Sequence, residues 1–308
     1  MSDNASTMDT QVAPAGGSET TGSTPSSSGN LWTDARRQLF RSPVFLVALL
    51  IVLIVVSWAV FPSLWTNTSP DDCVLQENRQ PPGDGHIFGT TILGCDMYTH
   101  VIYGARPSIV IAVLVTAAVA LIGATLGVVS GFYGGWTDTL ISRFTDIILG
   151  LPFILGAIAF LTLLQRQSIW TVMFVLIVLG WTSMTRIVRG TVISLRDQDF
   201  IEAARAMGAT NRWIIFKHIL PNALSPIIVL STLYVGTFVT AESTLTFLGV
   251  GLKPPAISWG ILIADGQGLA VSGLPHLLIF PCAALILTVL SFIMLGDALR
   301  DALDPRGR

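Results

Sequence analysis

Few side chains in this 308-residue chain have the type and spacing for covalent chemistry. A phosphate-binding loop needs a lysine followed by Ser or Thr to cradle a nucleotide. The two lysines fail that test, because Lys217 precedes His218 and Lys253 precedes Pro254. The histidines at 86, 100, 218 and 276 show no metal-ligand spacing, so no metal site is expected. No Ser or Cys has a recognisable catalytic partner nearby in sequence. One acidic residue stands out, since Glu242 lies inside an apolar run. A charged carboxylate there costs on the order of 2.5 to 3.5 kcal/mol on insertion scales. It must therefore be paired, protonated or facing water, either lining or supporting a solute path through a bilayer or serving as a structural hydrogen-bond acceptor.

The elements that must position these residues are membrane spans. Hydrophobic residues make up 52% of the chain and charged ones 12%, against about 25% charged in an ordinary globular protein. A net charge of −2 offers no basic field for nucleic acid. Six apolar runs are each about long enough to cross roughly 30 Å of hydrocarbon as a helix. They lie at about Val44 to Phe61, Ser108 to Phe132, Leu140 to Leu164, Ile169 to Val188, Ile227 to Leu248 and Leu274 to Leu295. The expectation is an all-α integral membrane protein. Residues 1–34, rich in Ser, Thr, Gly and Pro, read as a disordered tail. Cytoplasmic loops carry the excess of Lys and Arg. With the N-terminus inside, 13 of the 17 basic residues share its side, opposed only by Arg79, Arg106, Arg166 and Lys253. Both termini are expected in the cytoplasm.

The longer cytoplasmic segment, 199–226, reads DFIEAARAMGATNRWIIFKHILPNALSP. Phe200, Ala203, Ala204 and Met207 form a short apolar stripe at helical spacing, Glu202 and Arg205 are polar, and Gly208 stops the helix. Glu202-Ala203-Ala204, then Gly208, then Leu220-Pro221 resembles the EAA loop of ATP-binding-cassette (ABC) importer permeases, with His218 where that family has Ile. The other reading of such a helix is an amphipathic segment lying on lipid.

Further strings resemble the second permease subunit of the dipeptide and oligopeptide type. They are Gly104-Ala105-Arg106-Pro107-Ser108, Phe247-Leu248-Gly249-Val250-Gly251, Pro254-Pro255, Ser258-Trp259-Gly260, and the stretch 296–306. The segment 86–100 matches less well, with Thr91, Cys95 and His100 departing from the pattern. The resemblance implies the type I ABC importer transmembrane fold in a bacterial plasma membrane. It implies a permease that pairs with a homologous permease to enclose a solute path, with two ATPase subunits beneath and a substrate-binding protein outside. ATP and Mg would be bound by the ATPase subunits, and no cofactor by this chain. The site residues it implies for ATPase coupling are Phe200, Glu202, Ala203, Ala204, Met207 and Gly208. The corresponding division places a first span with an external segment at 35–103, the transmembrane domain at 104–301 and a cytoplasmic tail at 302–308. A secondary transporter, which tends to show internal repeats, and a non-transporting scaffold or receptor are the rival functions.

Two further expectations concern packing. Gly123, Gly127, Gly131 and Gly135 recur every fourth residue, allowing close approach of another helix either within the chain or from a partner permease. Cys73 and Cys95 both fall on the external segment, where an oxidising exterior invites a disulfide.

Overall fold

A computed structural model describes residues 37–83 and 85–303. The expected disordered tail, most of the C-terminal tail, and Arg36, Arg306 and Arg308 lie outside the described residues. The fold is helical: α1 is Pro43–Val60, α2 Met97–Tyr133, α3 Gly135–Leu149, α4 Phe153–Leu164, α5 Ile169–Arg196 and α6 Asp199–Ala206. A short α7, Asn211–Ile214, passes through one turn of π-helix at Ile215–Ile219 into α8, Leu220–Phe247. Then follow α9, Trp259–Ala270, and α10, His276–Leu303. Among the described residues, five continuous helical stretches are long and apolar enough to cross a membrane, and α3 with α4 meets the same criteria as a pair bent by 83°.

The bend corrects the expectation of a straight helix from Leu140 to Leu164. Pro152 lacks an N–H to continue the ladder, and its ring disfavours a helical conformation at the preceding Leu151. The helix therefore stops at Leu149 and restarts at Phe153. Even so, the bent pair must carry the chain across, because α2 and α5 run parallel. Gly123 faces Met184, Gly127 faces Val188 and Gly131 faces Val192, an advance of four residues on each helix. Two parallel helices of one chain need a return crossing between them, and α3–α4 is the only connection.

Bare glycine backbone lets α2 and α5 approach this closely. A Cβ on Gly123, Gly127 or Gly131 would stand 2.6 to 2.8 Å from the Cβ of its partner. The stripe therefore packs within the chain. Gly135 is not part of it: it begins α3, with φ +55°, and a Cβ there would have no neighbour within 4 Å. At the end of the α2–α5 contact, Arg189 grips Asp138 through two hydrogen bonds of 2.5 and 2.6 Å, and Arg186 reaches Asp146 at 2.8 Å. These pairs pin α3 across the Arg-rich half of α5.

At 37 residues, α2 is about 55 Å long at 1.5 Å per residue, well beyond the hydrocarbon thickness. Its first turns project on the face opposite α6 and carry the segment 62–96. That segment is held by the Cys73–Cys95 disulfide, by Thr66 against Thr99 at 2.8 Å, and by His86 between Asp96 (3.0 Å) and Glu77 (3.3 Å). Asp96 also caps α2 by accepting from the Thr99 N–H at 2.8 Å. Phe88 stacks on Phe280 with centroids 3.9 Å apart, docking the segment on α10.

Candidate functional site: an exposed elbow and a sealed carboxylate

The elbow between α5 and α8 is built from local rules. Gln198 precedes α6, whose first turn carries Asp199 and Glu202 and whose last turn carries Arg205, each charge complementing the helix dipole. Gly208, at φ +83°, ends the helix in a Schellman motif: the Ala209 N–H donates to the Ala204 carbonyl at 3.0 Å and the Gly208 N–H to Arg205 at 2.9 Å. Thr210 then caps α7 by accepting from the Trp213 N–H at 3.4 Å. The hydrogen bonds of the turn all lie within residues 198–213.

Packing sorts the expected stripe into two faces. Ile201, Ala204, Ile214 and Ile219 are buried and seat the elbow on the helix bundle. Phe200, Ala203 and Met207, at i, i+3 and i+7, point outward, and Met207 is 81% exposed. Ala204 thus belongs to the seat rather than to the outward face. Ile201, which pairs with it, is absent from the sequence-derived stripe although it sits three residues before Ala204. Glu202 and Gly208 are exposed beside the stripe. Arg205 lies over the Phe132 ring at 5.8 Å, and His218 packs against both Phe200 (5.8 Å) and Trp213 (4.9 Å). The result is a seated knob with a small apolar outer face. Charged Glu202 and Arg205 are exposed beside that face.

Glu242 has the opposite environment. Its side chain is fully buried, accepting hydrogen bonds from Ser108 at 2.8 Å, Thr246 at 3.0 Å and Ser243 at 3.3 Å. Around it the scattered sequence strings converge. Trp259 donates its indole N–H to the Val101 carbonyl at 2.9 Å, and a Cβ on Gly104 would stand 3.2 Å from the Trp259 ring. Gly251 and Gly260 press on Thr246 so closely that a Cβ on either would lie 2.7 Å from its Cα or its Cβ, respectively. Ser258 caps α9. The carboxyl therefore ties α2 to α8, with α9 packed against the same stretch of α8, at the end opposite the elbow, closed to water in this conformation. The short helix α9 begins in the Ser258-Trp259-Gly260 string and runs ten residues beyond it, a helix that the six apolar runs do not include.

Residues 123–308 match the model of the binding-protein-dependent transport system inner membrane component, and residues 30–82 that of the N-terminal TM domain of oligopeptide transport permease C. The chain belongs to this transport family. Among its relatives, the dipeptide transport system permease protein DppC of Alkalihalophilus pseudofirmus is 40% identical over 275 residues, 89% of this chain and 90% of the relative. The oligopeptide transport system permease protein OppC of Bacillus subtilis is 36% identical over 279 residues, 91% of each chain. OppC of Mycobacterium bovis is 39% identical over 269 residues, 87% of this chain and 91% of the relative. The inner membrane component is thus a multi-pass, all-α membrane protein of the importer-permease type, and the similarity spans both the elbow and the strings around Glu242.

Proposed function

We propose that the chain is one permease subunit of an ATP-driven importer for dipeptides, oligopeptides or similar small solutes. The observation that carries this reading is the outward Phe200–Ala203–Met207 face on an elbow that follows the Arg-rich end of α5, in a family of transport components. A helix stopped by a Schellman turn and seated by four buried side chains transmits displacement to α5 and α8, where a loop would absorb it. The elbow is read as the contact for a separate ATPase, which binds the ATP and Mg that this chain has no lysine loop to hold. The Arg-rich end is then cytoplasmic, with both termini there, and the disulfide-braced segment faces outward toward a substrate-binding protein. A homologous permease completes the solute path. Secondary transport and a scaffold role leave the elbow unexplained. Reconstitution of this chain with a homologous permease, two ATPases and a binding protein tests the reading: peptide uptake that requires ATP supports it, and uptake driven by an ion gradient without ATPase overturns it.

A further inference from the structure

The exposed faces of the spans differ in chemistry. On α1 the open side chains are Val47, Leu50 and Leu53, and on α10 they are Ile286, Leu290 and Ile293, all suited to lipid. By contrast α8 presents Thr237 and Thr240 openly and Thr244 half-exposed, spaced so that all three share one stripe. Halfway along α5 and α8, Thr237 at one end of this stripe borders a cavity of about 320 Å³. Ser183, Tyr234 and Thr237 line one wall. Leu151 and Phe153, at the bend between α3 and α4, line the other. The tip of the Phe238 ring abuts Gly180, where a Cβ would stand 2.7 Å from its Cζ, and the ring forms part of the cavity wall.

The hydrogen bonding of the stripe defines what it can receive. Thr237, Thr240 and Thr244 each donate their hydroxyl hydrogen to a carbonyl of their own helix, those of Leu233 (3.1 Å), Gly236 (3.0 Å) and Thr240 (2.8 Å). Their remaining lone pairs point away from the backbone, so the wall accepts hydrogen bonds and carries no formal charge. We infer that this wall, rather than the sealed Glu242, is where the travelling solute makes contact, and that it takes N–H donors: the amides and terminal ammonium of a peptide. An uncharged acceptor wall holds the backbone common to all peptides weakly enough to release it, whatever the charge of the side chains. This inference rests on the permease reading above.

The test uses the assembled transporter in a Cys282→Ala background. Thr237→Cys should react with a charged, water-soluble thiol reagent, whereas Leu290→Cys on the apolar face of α10 should not. Replacing Thr237, Thr240 and Thr244 together by Val, which keeps shape and removes the acceptors, should slow peptide uptake on the order of tenfold, the loss of one or two net hydrogen bonds. Ser at the same three positions should restore it. A Thr237→Cys that stays inert with and without ATP would show the face covered by a partner helix or lipid and overturn the proposal. Normal uptake by the triple Val variant would overturn the acceptor role. Failure of wild-type uptake would strike the permease reading instead, because the labelling result is read without transport.

Discussion

Adding a single methyl group at Gly127 should separate α2 from α5. A Cβ there would lie 2.7 Å from the Cβ of Val188 and 2.8 Å from the Thr185 carbonyl, both of them backbone-anchored atoms that cannot swing aside. Carbon atoms are at ease near 3.5 to 4.0 Å, roughly 1 Å further. The helices must part by much of that distance, and the neighbouring Gly123–Met184 and Gly131–Val192 contacts lose dispersion along with it. Overpacking of this kind costs about 1 to 3 kcal/mol, and the upper half of the range applies because three contacts loosen together. The proper control is Gly190→Ala on α5, where a Cβ meets nothing within 4 Å. Removing a helical glycine there should be neutral or stabilise by up to about 1 kcal/mol. Reversible unfolding of the purified protein in mixed micelles, followed by circular dichroism, reads both variants. A Gly127→Ala protein as stable as the wild type, or a pair of variants that behave alike, would refute the close parallel packing and with it the return crossing assigned to α3–α4.

Three other outcomes follow from the opposite face. Glu242→Gln keeps an acceptor for Ser108 and should fold and assemble, whereas Glu242→Leu strands three buried hydroxyls and should cost about 1 to 3 kcal/mol for each group left unpaired; equal stability of the two in the same unfolding assay would contradict the tie. The hydrogen bond to Asp96 raises the His86 pKa above its ordinary value, with Glu77 adding to it against the effect of burial. The stabilisation is fully present below about 6.5 and is lost as pH rises through the raised folded value. The difference in melting temperature between wild type and His86→Gln should therefore shrink on the alkaline side, and a constant difference would exclude the pairing. Breaking the disulfide by Cys73→Ser should loosen segment 62–96 by roughly 3 kcal/mol, from the entropy of a loop of this length, measured as faster proteolysis of that segment; unchanged proteolysis would contradict it.

Much of this molecule could be read from local signals. Spans follow from apolar runs, and the elbow from a helix whose stop, cap and next helix are all written within Asp199 to Leu220. Features that depend on distant partners were less legible. Ala203 and Ala204 are chemically alike, and only the bundle beneath decides that one faces out and the other in. Glu242 could be flagged as costly, but its three hydroxyl partners include Ser108, 134 residues away, so its sealed state could not be foreseen. The bend at Leu151 did have a local signal in Gly150 and Pro152, outweighed by the hydropathy on either side. The threonines of α8 carry no distinguishing signal within their apolar run, and the contrast comes from the exposed apolar faces of α1 and α10.

Co-purification with the ATPases tests the central claim most directly. Ala203→Arg places a long charged side chain at the middle of the exposed stripe on α6 without entering the buried seat formed by Ile201 and Ala204. Expressed with its homologous permease and tagged, the variant should reach the membrane and pair with that permease, yet lose the ATPase subunits that accompany the wild type. Full recovery of the ATPases with Ala203→Arg, or none with the wild type, would contradict the assignment of the elbow as the point where energy enters.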